Sequence, residues 1–359
     1  MKYIKGLNGL QQLKDMFNPN DFGWEFKIKE GNSMLRKSLI TILAILFGVG
    51  IWVSNSQGKE YPIKPIEILC PYSAGSSVDI MIRLVAETAQ KYLGQPLVVI
   101  NKPGAGGTVA AAEIISSKPD GYKLIELTNF FFATTTKTQK VPFDPNDIVP
   151  LANFMEIKHG FGVKGDSPWK TLNDLLDYGR KNPGKLTWAH TGRGITNHMY
   201  GLVVVKKAGL DAVDVPYKGT PEQIAAVLGG HVDVSVLTYV AVRDLLKTGR
   251  LRYLCVFSNQ RYSDLPNVPC VTELGFQEAG ELPTLMGLYV HRKTPGEIMK
   301  TLIDAFKKVQ EDPEFKKKFE DLGEQARFLG PELMKEAIKK AEIVGVPIIK
   351  ELGLYVEQK

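Results

Sequence analysis

From Pro62 onward the sequence alternates short apolar runs with amphipathic stretches, and that alternation restricts the chain to folds in which strands and helices interleave. The first block predicts strands over 66–70, 97–100 and 122–127, separated by helices over 78–93 and 108–117. Within 78–93, Ile80, Leu84, Val85 and Ala89 recur near helical spacing. A second block repeats the rhythm, with strands at 160–163, 186–190, 214–216, 232–237 and 252–257 and helices at 172–182, 196–208, 221–228 and 240–247. A strand-like run at 286–291 follows. Three helices then begin at Pro295, Pro313 and Pro331, a first-turn position where the N–H that proline lacks has no helical partner anyway. The expected fold class is α/β, with two lobes that each carry a mainly parallel sheet flanked by helices. Because one strand returns after the second block, lobe 1 is expected to combine 57–158 with 284–359. Lobe 2 takes 159–283, and two crossing strands form a hinge.

At 359 residues, 44% of them hydrophobic, the chain is large enough to fill two cores. The formal charge is +6, but seven basic and four acidic residues precede Gln57, so the remainder carries +3 (38 basic minus 35 acidic). No dense Lys/Arg run interleaves with aromatics, so nucleic acid is not an expected partner. Cys70, Cys255 and Cys270 sit in apolar stretches without C-x-x-C spacing, which reads as buried small hydrophobes, with a Cys255–Cys270 bridge as the alternative in an oxidising compartment.

The most apolar run is LITILAILFGVGIWV at 39–53, preceded by Arg36 and Lys37 and followed by Ser54-Asn55-Ser56. A basic start, an apolar middle and small residues at −3 and −1 of a cut before Gln57 read as a secretory signal peptide over 34–56, too short for comfortable spanning. Met34 stands where such a signal begins, so 1–33 reads as an upstream start artefact. The competing reading is an uncleaved anchor. Either way the bulk of the chain is expected to be periplasmic or extracytoplasmic.

Two strand–loop–helix corners carry the chemistry. The first is PYSAGSSVD at 71–79, and the second is HTGRGITNH at 190–198. Glycine lets the backbone turn tightly, and first-turn N–H groups of a helix lack internal partners and add partial positive charge. Such a corner attracts an anion without a lysine, and ligands of α/β sheets lie outside the carboxyl ends of strands. Small polar residues at a helix start are also ordinary caps. Neither corner matches a nucleotide P-loop. The glycine-rich segment 103–107 reads as a tight βα turn, and Lys218 as a solvated side chain.

The ordered segments KPIEILCPYSAGSSVD (64–79), GQPLVVINKPGAGG (94–107), PDGYKL (119–124), VPYKG (215–219), GGHVD (229–233) and PNVP (266–269) resemble the tripartite tricarboxylate transporter substrate receptors, also called Bug-type receptors. The resemblance runs from about Tyr61 to the C-terminus. It implies a type II periplasmic-binding-protein fold whose lobes close on a small carboxylate, and delivery to a permease of one large and one small membrane subunit; with the departures described below, the expected ligand is a di- or tricarboxylate or an aromatic acid. No cofactor and no metal are expected. On matching positions the resemblance points to Ser73, Ala74, Gly75, Ser76, Ser77 and Asp79 in one lobe, and to Thr191, Gly192, Gly194, Thr196, Asn197 and His198 in the other, with bridging waters; Tyr72, beside Ser73, joins the expected pocket. Asp79 is expected to orient its helix rather than touch an anion.

The chain departs from the family pattern at Gly75-Ser76, where a hydroxyl replaces a bare glycine, and at Thr128-Asn129-Phe130-Phe131-Phe132 and Leu237-Thr238-Tyr239. Asn129, Phe130, Thr238 and Tyr239 are therefore added to the expected pocket, with an apolar or aromatic ligand body as the consequence. Phe130, Phe131 and Tyr239 read equally well as core. His190 and His198 lack metal-ligand spacing and show no Cys or Glu partner. No nucleophile elbow or acid/base pair is visible, so an exported enzyme is the weaker alternative. A sensor for a membrane kinase would use the same pocket.

Overall fold

A computed structural model describes residues 61–324 and 326–358, which leaves the expected start artefact and signal peptide outside the described residues. In the first part of the chain β1 (Ile66–Cys70), α1 (Ser77–Leu93), β2 (Leu97–Asn101), α2 (Thr108–Ser116), β3 (Lys123–Thr128), a short α3 (Asn129–Ala133) and β4 (Ile148–Ile157) follow one another. The middle part supplies β5 (His159–Lys164), α4 (Leu172–Lys181), β6 (Leu186–His190), α5 (Thr196–Lys207), β7 (Ala212–Pro216), α6 (Thr220–Leu228), β8 (Val234–Thr238), α7 (Tyr239–Lys247), β9 (Leu251–Val256) and α8 (Gln277–Gly280). Then come β10 (Thr284–His291), α9 (Gly296–Glu311), α10 (Pro313–Asp321) and α11 (Pro331–Glu351).

The strands form two five-stranded sheets, ordered β2-β1-β3-β10-β4 and β7-β6-β8-β5-β9. In each sheet three strands run parallel and the fourth is antiparallel to both of its neighbours, so both sheets are mixed. Those antiparallel strands, β10 and β5, are the ones that follow the two crossings of the chain between sheets. This is the two-lobed type II arrangement.

Each sheet is buried on both faces. On the first, α1 and α9 contribute Ile82, Val85, Leu302 and Phe306 to a core with Ile68 and Leu288, while Ala110 and Ile114 of α2 cover Leu69, Ile125 and Leu127 on the other side. On the second, Trp188, Met199 and Val203 pack on one face and Val227, Leu237, Val242 and Tyr253 on the other. The helix α11 packs against α3 and β4, and its end places Ile348, Ile349 and Leu352 in the second sheet's core. It thus ties both lobes together beside the crossing strands. All three cysteines are free and buried, so the alternative bridge is not formed. Among the described residues no helix is long and apolar enough to cross a membrane.

Capping explains why the helix at the first corner starts where it does. Ser76 holds extended backbone and its Oγ accepts from Asp79 N at 3.2 Å. Gly94, at φ 68°, ends the same helix in the left-handed conformation that glycine adopts freely.

Candidate functional site

Both expected corners reach one narrow cavity of about 30 Å³ between the sheets, lined by Ser76, Ser77 and Val78 at the start of α1 and by Thr191, Ile195, Thr196 and Asn197 at the start of α5. Thr220 opens α6 and Thr238 precedes α7 on the same wall, while Tyr72, Thr128, Ile157, His159 and Thr284 complete it. Four helices of nine residues or more therefore aim their N-termini at one small volume. Among the described residues no Lys, Arg, Asp or Glu lies on this wall. Among the described residues the Oγ of Ser77 and the Oγ1 atoms of Thr196 and Thr238 are buried without a hydrogen-bond partner. Buried hydroxyls that no protein group satisfies carry a desolvation cost, and a ligand between them removes it.

The first corner is held from behind by Asp79. Its carboxylate accepts from Gly75 N at 2.9 Å, Asn101 Nδ2 at 2.8 Å and Arg83 Nε at 3.0 Å. Burial acts to raise its pKa, and the hydrogen bonds from Arg83, Asn101 and Gly75 outweigh burial and keep the carboxyl below its ordinary range. Asn101 also donates to Tyr72 O at 3.0 Å, which fixes the strand end that leads into the corner.

The second corner is held by histidines. Gly192 N donates to His190 Nδ1 at 3.1 Å, and Gly194 N donates to His198 Nδ1 at 3.2 Å. Thr191 N donates to Asn197 Oδ1 at 3.3 Å. Burial keeps both rings neutral: it lowers the His190 pKa against the pull of Asp214, and it lowers that of His198 to about 3 with help from His190. His190 Nε2 lies 3.0 Å from Asp214 Oδ2, and Arg193 grips both oxygens of that carboxylate at 3.2 and 3.3 Å. His190, His198 and Asp214 bring ligand-type atoms within 4.8 Å of one another. Asp214 is the acidic partner that sequence spacing did not show. The hydrogen-bond polarity opposes a metal there. Each Nδ1 lone pair is taken by a backbone N–H, so each neutral ring carries its proton on Nε2 and keeps no lone pair for a cation.

The structure brings Tyr72, Ser76, Ser77, Thr191, Thr196, Asn197 and Thr238 together on the inner wall. Ser73 stands at the rim, where its Oγ donates to Glu222 Oε1 at 2.8 Å across the two lobes. Gly192 faces a wider outer cleft of about 740 Å³, which shares Thr191 with the inner cavity and is lined also by Pro71, Gly106, Arg193, Tyr217, Lys218 and Glu222. The other expected residues are placed elsewhere. Ala74 and Gly75 are exposed at the turn, and Asp79 and His198 support the corners from behind. Gly194 meets Thr134, whose Oγ1 donates to its carbonyl. Asn129 clasps the return strand, donating to Pro283 O at 3.1 Å and accepting from Leu285 N at 2.9 Å.

The expected aromatic wall is not built. Phe130 is 0% exposed in the second lobe's core beside Tyr200, Phe131 packs in the first lobe's core, and Tyr239 is buried with Val242 and Cys270. Their side chains serve packing, which removes the basis for an aromatic ligand body. Sequence reasoning missed Thr128, Thr220, Thr284, His159, Ile157, Ile195 and Val78. Thr220 follows the same strand-to-helix rule as the recognised corners, directly after the Val-Pro-Tyr-Lys-Gly segment. The hinge residues Ile157, His159 and Thr284 carry no local signal.

Known proteins share this architecture. The tripartite tricarboxylate transporter family receptor matches residues 81–354. The UPF0065 protein of the gbd 5' region of Cupriavidus necator is 33% identical over 312 residues, spanning 86% of this chain and 93% of its own. The periplasmic binding protein BugD superposes with a TM-score of 0.77 at 25% identity, covering 83% of this chain and all (100%) of its own. MatC from Rhodopseudomonas palustris with bound malate superposes with a TM-score of 0.71 at 25% identity, covering 79% of this chain and 100% of its own. With the family match running from within α1 through the second corner to beyond the end of α11, the chain belongs to the tripartite tricarboxylate transporter receptors, a family of periplasmic binding proteins.

Proposed function

We propose that this protein is an extracytoplasmic receptor that captures a small carboxylate in the inner cavity and delivers it to a permease of one large and one small membrane subunit. The observation that carries the reading is the convergence of four helix N-termini and three partnerless hydroxyls on a wall without charged side chains. Such a wall attracts an anion through oriented N–H dipoles and hydroxyls, and releases it without breaking an ion pair. The outer cleft carries Lys218 beside Glu222, and its Arg193 is paired with Asp214, so the attraction for an anion comes from the inner wall.

A receptor role also fits what the wall lacks. Among the described residues no wall hydroxyl is hydrogen-bonded to a histidine or carboxylate that would activate it, the arrangement a hydrolytic nucleophile needs. In this reading the lobes are 57–158 with 284–359 and 159–283, and the 34–56 segment directs export. The mature chain is then expected to begin near Gln57 on N-terminal sequencing of the exported protein.

Mass spectrometry of the solute retained through native purification tests the central claim, with a carboxylate expected. A neutral or cationic solute in the cavity overturns it. Ser77→Ala and Thr196→Val are each expected to weaken the identified acid by roughly tenfold in titration calorimetry, the scale of one lost hydrogen bond to a charged group.

A further inference from the structure

The wall of the inner cavity contains one group unlike the rest. His159 begins β5 and pairs with Thr238 of β8 in antiparallel register, so both side chains stand on one face and both reach the cavity. Its Nδ1 lies 3.0 Å from the carbonyl oxygen of Ile157. A carbonyl only accepts, so Nδ1 carries the ring proton. Burial lowers the pKa of the ring to about 4, against the opposing hydrogen bond to Ile157, and at neutral pH the imidazole is uncharged. Its Nε2 is therefore an acceptor with a free lone pair. It has no protein partner among the described residues, and the residue is 4% exposed.

The hydroxyls and the Asn197 amide on the wall can all donate to a carboxylate, whereas Nε2 cannot. A carboxylate oxygen placed against it sets lone pair against lone pair, so the ligand must bring a donor to that point. An ammonium brings three protons where Nε2 takes one, and no carboxylate on the wall accepts the others. A hydroxyl meets the need without charge. The unpartnered hydroxyls of Ser77, Thr196 and Thr238 share this narrow cavity with Nε2. A donor that meets Nε2 while a carboxylate meets those hydroxyls sits on the carbon next to the carboxylate.

We infer that the inner cavity selects a 2-hydroxycarboxylate, whose carboxylate faces the helix starts while its hydroxyl donates to His159 Nε2. His159 is on this basis the residue that sets ligand class. The inference rests on the carboxylate reading above and narrows it.

Titration calorimetry on matched pairs tests it: lactate against propionate, malate against succinate, citrate against tricarballylate, mandelate against phenylacetate. The protein is expected to bind the hydroxy acid of whichever pair it recognises roughly tenfold or more tightly than its plain partner, because the plain acid leaves a buried acceptor unpaired. His159→Phe keeps a ring and removes the acceptor, so it is expected to bind the two partners alike. His159→Gln supplies an acceptor again and is expected to restore part of the preference. Equal binding of hydroxy and plain acids by the unaltered protein overturns the inference and leaves the carboxylate reading intact, as does a preference that survives in His159→Phe. Failure of every acid in the panel to bind overturns both.

Discussion

Replacing Gly194 with alanine is expected to weaken carboxylate binding by roughly a hundredfold or more while both lobes stay folded. Gly194 lies in the second corner at φ 76°, a conformation that an L side chain adopts only with strain. A Cβ there would overlap Thr138 Oγ1 and stand 3.0 Å from Thr135 Cα, both on the segment between β3 and β4 of the other lobe. The Thr138 hydroxyl can swing aside, but the Thr135 backbone cannot. The added methyl therefore opposes the approach of the lobes rather than the packing within either one. Nearby, a Cβ at Gly192 would come within 3.3 Å of Gly106 Cα, so backbone meets backbone along this seam. Left-handed strain plus contact with a rigid main chain costs on the order of 3 kcal/mol, about two decades in affinity. Calorimetry with the identified acid measures the loss, and small-angle scattering at saturating acid should show a less closed particle. Adding Thr138→Ala to Gly194→Ala should recover part of the affinity. An affinity unchanged by Gly194→Ala would mean that the seam does not close on the ligand.

Most strands and helices were readable because each carries its own pattern, yet β4 was not. Its sequence IVPLANFMEI is buried at nearly every position, so it lacks the alternation that marks a half-exposed strand, and Pro150 argues against a central one. The structure places β4 at the edge of its sheet, where a missing N–H is tolerated. The direction of β5 and β10 was also hidden, since it follows from the chain crossing between sheets rather than from local residues. At the site, the two corners were legible because a strand end, a glycine and a hydroxyl at a helix start form a local unit. His159 was not, because it becomes part of a cavity only when the sheets face each other. Phe130 misled for the opposite reason: it adjoins the pocket in sequence, and its side chain turns into a core. The histidine prop of the second corner was half visible. His190 and His198 were noted, but Asp214 arrives from the neighbouring strand β7.

Glu126→Gln should stabilise the protein by an amount that grows with pH and reaches several kcal/mol in mildly alkaline solution. Glu126 lies at the middle of β3, is 0% exposed, and neither carboxyl oxygen has a hydrogen-bond partner among the described residues. Burial pushes its pKa up to about 8, so it is mostly protonated at neutral pH. In the unfolded chain the same group ionises near pH ~4.3. The folded value is the higher one. Its contribution is therefore fully present below about pH 4.3 and is lost as pH rises through 8. At roughly 1.4 kcal/mol per pH unit, the loss across that window is on the order of 5 kcal/mol. Glutamine has nearly the same shape and does not titrate, so the variant escapes this loss. Glu324, also raised to about 8 by burial, is common to both proteins and cancels in the comparison. Urea midpoints at pH 5, 7 and 9 read the difference: the two proteins should be similar at pH 5 and diverge by pH 9. Parallel curves would show that Glu126 ionises in the folded state as it does in water. The same residue bears on the ligand. Glu126 is two positions before Thr128 on one face of β3, and its charge is felt by Tyr72, which also lines the cavity. A protonated Glu126 places no negative charge beneath the anion, and its ionisation above pH 8 should weaken carboxylate binding in the unaltered protein but not in Glu126→Gln.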